Sequence, residues 1–331
     1  MKIPVKIPVK TPDIGQMTET VSAALPRQSP MAVIDIGSNS IRLVVYASQG
    51  RYPFPLFNER SNCRLGEGMD ADGILRSERI EVALAALARF ATIMKNMGVT
   101  KSYPVATAAV RRARNAEEFT IPASAILGQP IIILTQQEEA QHVARGVTLN
   151  VPNANGLIAD LGGGSLEIVG VNDGAVTHAT SLDIGHLSTV SRGEINAALA
   201  GVDWLDGYAP RRLYGVGGSF RALGTAYVAQ TEYPLAVLHG LTIPRDEAKQ
   251  MLAAFSREKP DLSGVPLGRQ KTMPMAALIM NGLLRQCRAE KIFISGTSLR
   301  DGILAHNEFN AADRADFLQA VCVEISKASH R

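Results

Sequence analysis

Two short segments of one design hold the residue types best suited to chemistry. Asp35-Ile36-Gly37-Ser38-Asn39-Ser40 recurs in altered form, 125 residues later, as Asp160-Leu161-Gly162-Gly163-Gly164-Ser165. An aspartate at the end of a buried strand can hold a divalent cation or its water. Gly37, Gly162, Gly163 and Gly164 let backbone N–H groups approach phosphate oxygens with no side chain in the way, and neighbouring hydroxyls add donors. Ser38, Asn39 and Ser40 in the first turn and Ser165 in the second complete that candidate phosphate-binding set. One Asp-x-Gly turn is ordinary loop chemistry. Two with matched flanks are not. Each closes an apolar run (Met31-Ala32-Val33-Ile34, then Gly156-Leu157-Ile158-Ala159) and opens another (Leu43-Val44-Val45-Tyr46, then Leu166-Glu167-Ile168-Val169). The pattern predicts a duplicated architecture with two facing phosphate loops.

Other residues could serve the same chemistry. Asp160 and Glu167 fall on the two strands flanking one turn, so both can face one cleft. With Asp35 they are candidates for Mg²⁺, which takes one or two carboxylates plus waters and substrate phosphates. Glu167 would equally suit the polar face of an alternating strand. Gly215-Val216-Gly217-Gly218-Ser219 reads as strand, glycine turn and helix. Gly217, Gly218 and Ser219 could bring donors to an anion at a helix N-terminus, although a tight start to the helix explains them as well. Arg111, Arg112 and Arg114 form the densest basic cluster after residue 30, beside Glu117 and Glu118. Such a cluster suits phosphate oxygens or a solvated ion-pair face. Glu138 and Glu139 are, locally, first-turn helix acids favoured by the dipole. The six histidines show no metal-ligand spacing.

Further motifs follow in order: Ala106-Thr107-Ala108-Ala109-Val110-Arg111, Asn115-Ala116, Gln137-Glu138-Glu139-Ala140, Glu167 in the second loop unit, Ser295-Gly296, and Leu299-Arg300-Asp301-Gly302. With them the chain, from about Met31 to His306, resembles the exopolyphosphatase/guanosine pentaphosphate phosphatase family of the actin/sugar-kinase/Hsp70 superfamily. The resemblance implies duplicated RNase H-like domains, each with a mixed sheet flanked by helices, and a cleft between them. It places the catalytic carboxylate at Glu139, as general base on a water attacking a terminal phosphorus. It matches Arg111 to an arginine that contacts substrate phosphate. The implied activity is Mg²⁺-dependent release of terminal phosphate from inorganic polyphosphate. Hydrolysis of guanosine pentaphosphate is the alternative within the family. An ATP-dependent kinase or ATPase of the same fold, or a sensor that only binds, are rivals outside it. The expected assembly is a homodimer. Longer family members continue into a helical C-terminal domain, and this chain resembles the short two-domain form. One segment departs from the family: Arg269-Gln270-Lys271 lacks the acid of an Arg-x-Asp found in many members, and adds positive charge near the cleft.

The elements that must position these residues are legible too. Strands alternating with helices favour an α/β fold. Three β-rich runs to Phe57 precede a helix from Ser77, as its cap, to about Met97, with Gly98 as the stop. Buried strands are expected at Tyr103–Ala106 and Ile131–Leu134, and a helix from Gln137 to Leu149. Residues 151–156 read as a linker, dividing a first domain (31–150) from a second (151–305). A last helix, about 306–328, is expected to return to the first domain. Residues 1–30, rich in Pro, Thr and Ser, read as a loosely attached tail. At 331 residues, two domains are the default. The net charge of +3, of which residues 1–30 carry +2, argues against general nucleic-acid binding. No apolar stretch approaches the roughly 20 residues needed to span a bilayer. Three widely spaced cysteines indicate neither a disulfide framework nor a thiolate metal site. A cytoplasmic protein is the expectation.

Overall fold

Met31-Ala32-Val33-Ile34 is apolar on both faces, as a strand with helices above and below requires. It folds as β1 (Met31–Ile36), with a neighbour on each edge. The structure, a computed structural model, describes residues 29–47, 55–69, 72–151, 153–206, 208 and 210–308. The expected tail therefore lies almost wholly outside the described residues, as does most of the expected last helix.

In the first sheet, β2 (Ile41–Tyr46) pairs antiparallel with β1, and β3 (Pro55–Ser61) antiparallel with β2. On the other side β4 (Lys101–Ala106) runs parallel to β1, and β5 (Ile132–Ile133) parallel to β4. The order is β3-β2-β1-β4-β5. The second sheet repeats it. Strands β6 (Gly156–Leu161), β7 (Leu166–Asn172) and β8 (Ala175–Leu182) form an antiparallel meander. Then β9 (Arg212–Val216) and β11 (Lys291–Ile294) add in parallel, and β10 (Thr242–Pro244) closes the edge. This is a duplicated RNase H-like α/β fold.

The helices are α1 (Ser77–Asn96), α2 (Ala108–Arg112), α3 (Ala116–Leu127), α4 (Gln136–Asn150), α5 (Arg192–Ala200), α6 (Gly217–Thr231), α7 (Arg245–Phe255), α8 (Leu267–Gln270), α9 (Met273–Cys287) and α10 (Leu299–Glu308). None is long and apolar enough to cross a membrane among the described residues. Two expectations need correcting. Ser77 does not cap α1: Arg76 holds the N-cap position in extended conformation, and its guanidinium bonds Gly68 and Asp72 instead. The Ile131–Leu134 run is not a buried strand. Only Ile132 and Ile133 pair, and both are exposed, because β5 is an edge strand with a partner on one side.

Strand alternation feeds two cores at once. Ala32, Ile34 and Ile36 point into the first unit's own core, against α1 and α3. Met31 and Val33 point the other way, into a core shared with Ile158, Val169 and Tyr214 of the second sheet. Filling that shared core are Val143, Ala144 and Val147 of α4 with Leu299, Ile303 and Leu304 of α10. The two helices touch backbone to backbone. A β-carbon at Gly146 would overlap the carbonyl of Ser298, and one at Gly302 the carbonyl of His142.

Gly302→Ala should therefore destabilise the protein by roughly 1–3 kcal/mol, the usual cost of overpacking. Gly268→Ala, with open space around its β-carbon, should be neutral or mildly stabilising. Urea midpoints of the two variants check the contrast.

Candidate active site

Both repeated turns form as matched structures at matched strand ends. Gly37 N–H donates to Ser40 O (3.2 Å) and Gly162 N–H to Ser165 O (3.0 Å). The turns also touch. A β-carbon on Gly163 would lie 3.2 Å from Asn39 Cβ, and one on Gly164 3.2 Å from Ser38 Oγ. Together they wall a cleft that also takes in Asp35, Glu139, Asp160, Glu167, Gly217 and Gly218. Arg111 and Ser219 are not part of that wall.

The two adjacent glutamates part ways at the start of α4. Thr135 Oγ accepts from Glu138 N–H (3.2 Å), and Glu138 Oε2 accepts from Thr135 N–H (2.8 Å), a reciprocal cap. Glu138 is thereby spent on the helix end. Glu139, about 100° further round the helix, is 6% exposed and lines the cleft. Arg111 stands behind it, donating to Glu139 Oε2 (2.6 Å) and to Leu134 O (3.0 Å). Burial pushes the Glu139 carboxyl up to about 7, against the Arg111 hydrogen bond and charge; Asp160 and Asp35 push the same way as burial.

Asp160 and Glu167 face each other across the β6–β7 ladder. Burial, with the Asp35 charge, lifts Asp160 to about 6 against the pull of Arg221 and Arg300. Glu167 is pushed well up by burial and by Glu139 and Asp160, although Ser181 Oγ donates to it at 3.1 Å. Like carboxylates held together in low dielectric are the donor set a divalent cation relieves. Asp35 is differently placed: its Oδ2 accepts from Arg300 Nη1 at 2.7 Å. No three acidic, histidine or cysteine side chains gather into a full cation site among the described residues. A Mg²⁺ held by Asp160 and Glu167 would complete its shell from water and phosphate, as that ion commonly does.

The cleft is also lined with basic residues, and sequence reasoning missed most of them. Arg42, Arg60, Arg221, Arg269 and Arg300 all line the cleft. Burial and neighbouring guanidinium groups lower Arg42 and Arg269 to about 10 each. Arg42 was findable: it stands seven residues after Asp35, as Glu167 stands after Asp160, and pairs with Asp35 as Glu167 pairs with Asp160. His186 lines the cleft too, with Nδ1 3.3 Å from Ser219 Oγ. That contact explains why Ser219 is buried behind the wall. Burial and Arg269 lower His186 to about 4, so it is neutral near pH 7.

The two raised carboxyls fix the sign of their own contribution to stability, which the lowered His186 opposes only in part. Glu139 and Asp160 bind protons more tightly folded than unfolded, where they titrate near 4.5 and 3.8. Stability is fullest below those values and is lost as pH rises through about 6 to 7. In chelator, the melting temperature should fall from pH 5 to pH 7.5, and added Mg²⁺ should restore it mainly at the higher pH. Differential scanning calorimetry checks both. A change of 1 kcal/mol moves the midpoint by roughly 2–4 °C.

The sequence pattern of the Ppx/GppA phosphatase family matches residues 43–193 and 205–310. A guanosine-5'-triphosphate,3'-diphosphate pyrophosphatase of Pseudoalteromonas atlantica is 27% identical over 304 residues, covering 86% of this chain and 60% of that protein. A protein of the same name from Pseudoalteromonas translucida is 27% identical, over 84% of this chain and 59% of its own length. The chain thus spans about three-fifths of those relatives. Among solved structures, an exopolyphosphatase from Cytophaga hutchinsonii superposes with a TM-score of 0.75 at 22% identity, over 83% of this chain and 96% of that one. The type II variant of the Aquifex aeolicus Ppx/GppA phosphatase gives 0.67 at 22% identity, over 85% and 100%. At such identities the likeness is one of fold. The family pattern takes in the second loop unit, Glu139 and most of the chain, and on that match the chain belongs to the Ppx/GppA phosphatase family.

Proposed function

We propose that this chain is a Mg²⁺-dependent exopolyphosphatase with Glu139 as its general base. The observation that carries the reading is a buried carboxyl, Glu139, lining one cleft with Asp160, Glu167, two glycine loops and five arginines. A general base works best when its pKa lies near the working pH. The loops Gly37–Ser40 and Gly162–Ser165, with Gly217 and Gly218, hold successive phosphates through backbone and hydroxyl donors. Glu139 Oε1 takes the proton of a water while Oε2 stays on Arg111. The water oxygen bonds to the terminal phosphorus as the bridging P–O bond breaks. The electron pair leaves with the shortened chain, whose new charge the arginine wall offsets. Mg²⁺, when bound at Asp160 and Glu167, supplies charge neutralisation to the phosphate oxygens.

An inorganic chain suits the wall: no Phe, Tyr or Trp lines the cleft among the described residues to stack on a base. Guanosine pentaphosphate is the second reading, favoured by the names of the two Pseudoalteromonas relatives. Phosphate release from long polyphosphate and from guanosine pentaphosphate, at equal enzyme and substrate, decides between them.

Glu139→Gln should keep the fold and the affinity for polyphosphate while turnover falls on the order of 10²–10⁴-fold. More than about half the parent rate would remove Glu139 from the role.

Arg111 acts, in this reading, through Glu139 rather than by gripping phosphate. Its charge holds the Glu139 carboxyl down. Arg111→Ala should therefore move the acid limb of the kcat/KM profile to higher pH, from near 7, with KM little changed. A raised KM with the limb unmoved would instead put Arg111 on the substrate.

A further inference from the structure

A second cavity opens at the other end of the second sheet, away from the cleft. Gly156 of β6 lines this cavity, and Leu161, at the far end of the same strand, lines the cleft. At about 3.3 Å per residue the two ends lie roughly 16 Å apart. The cavity measures about 400 Å³, within the roughly 300–1,000 Å³ of small-molecule sites. A β-bulge shapes its wall. Gly170 pairs with His178 but Val171 with Val176, so Thr177 is the extra residue of β8. Neighbours on a regular strand take opposite faces, and a bulge re-aims them. Thr177 and His178 accordingly both reach the cavity. A β-carbon on Gly170 would stand 2.9 Å from Thr177 Oγ1, 3.4 Å from the Tyr208 hydroxyl and 3.5 Å from His178 Nδ1. Three polar groups thus converge over a backbone position that carries no side chain.

Flat rings surround them. His178 stacks on Trp204, with centroids 5.0 Å apart and planes 16° from parallel, while remaining exposed. Tyr208 stands edge-on to both rings, at 6.5 Å and 5.7 Å. Arg211 lines the same cavity with its side chain 87% exposed, and its contact with Glu290 is a loose 4.0 Å. A paired guanidinium normally sits more than an ångström closer to its carboxylate. Asn172, also exposed, adds an amide that can both donate and accept.

We propose that this cavity is a binding site for a nucleoside monophosphate, with the base against the rings of His178 and Tyr208 and the phosphate on Arg211. Bases stack on aromatic side chains whatever their edge pattern, and a guanidinium fork matches phosphate oxygens. One arginine suits one phosphate. The site is independent of the chemistry assigned to the cleft.

Trp204 is the chain's one tryptophan, and it backs His178, so its emission reports on this cavity. Full-length protein titrated with AMP and with GMP should show a saturable change in tryptophan fluorescence, with equilibrium dialysis giving the same affinity. No saturable binding of either nucleotide would overturn the proposal. His178→Ala should weaken AMP roughly tenfold or more, the size of a lost base-stacking contact. Arg211→Gln, at an exposed side chain, should weaken AMP by a similar factor and leave adenosine unchanged. AMP affinity untouched by Arg211→Gln would take the phosphate off that residue and sink the assignment. Ribose 5-phosphate should bind at least tenfold more weakly than AMP; equal binding would make this a sugar-phosphate site and refute base stacking. Tripolyphosphate, which matches the cleft, should neither change the emission nor displace AMP. Full competition would place the nucleotide in the cleft instead and overturn the second site.

Discussion

The contact between Gly146 of α4 and Gly302 of α10 sets the distance on which the cleft depends. Each glycine lies against a carbonyl of the other helix's segment, so the two helices cross closer than any side chain would allow. Both helices begin at the cleft. One presents Glu139 from its first turn and the other Arg300. Moving the crossing apart by one methyl group would shift Glu139 and Arg300 relative to two loops that already touch. The core around the crossing draws on both sheets, so the two units share one apolar interior as well as one site.

The duplication is exact in backbone and broken in charge, and the break gives the cleft its polarity. Each unit ends its first strand with Asp, turns through the same hydrogen bond, and returns. The returning strand then carries Arg42 in one copy and Glu167 in the other, at the same register position. In the first copy the aspartate is drawn to Arg300 and the surroundings are cationic. In the second, two carboxylates share a buried ladder and hold their protons more tightly. One side is thus built for anions. The other is short of positive charge, and a divalent cation is the simplest remedy.

Much of this was legible in the sequence because it is local. The loop pair, the strand–turn–strand flanks and the α/β alternation are patterns within a dozen residues, and Asp35, Asp160, Glu167 and Glu139 do line one cleft. The basic wall was legible only in part: Arg269 and Arg300 stood in segments already singled out, but Arg42, Arg60 and Arg221 come from others that only the tertiary fold brings to the cleft. Arg60 on β3 is exposed, and only its place across the ladder from Arg42 puts it on the cleft. His186 escaped for the same reason: nothing in its own segment marks it, and its partners are Ser219 and Arg269. The failed cap at Ser77 and the exposed Ile132 and Ile133 show the reverse error, in which a sound local signal yields to what the surroundings supply.

Glu139 illustrates how two large opposed effects leave a useful residue. Burial alone would raise the carboxyl further still, and a carboxyl that keeps its proton cannot accept one from water. An exposed carboxylate beside Arg111 would stay ionised to low pH and be too weak a base. The structure sets one against the other. The cap formed by Glu138 releases Glu139 to face inward, and the apolar packing of Val143 and Val147 one and two turns on keeps that face sealed. Arg111, anchored by Leu134 O, then returns part of what burial took. The balance depends on α4, Arg111 and Leu134 holding their places, so it is sensitive to the helix crossing further along α4. Small displacements of α4 would change the proton affinity of Glu139.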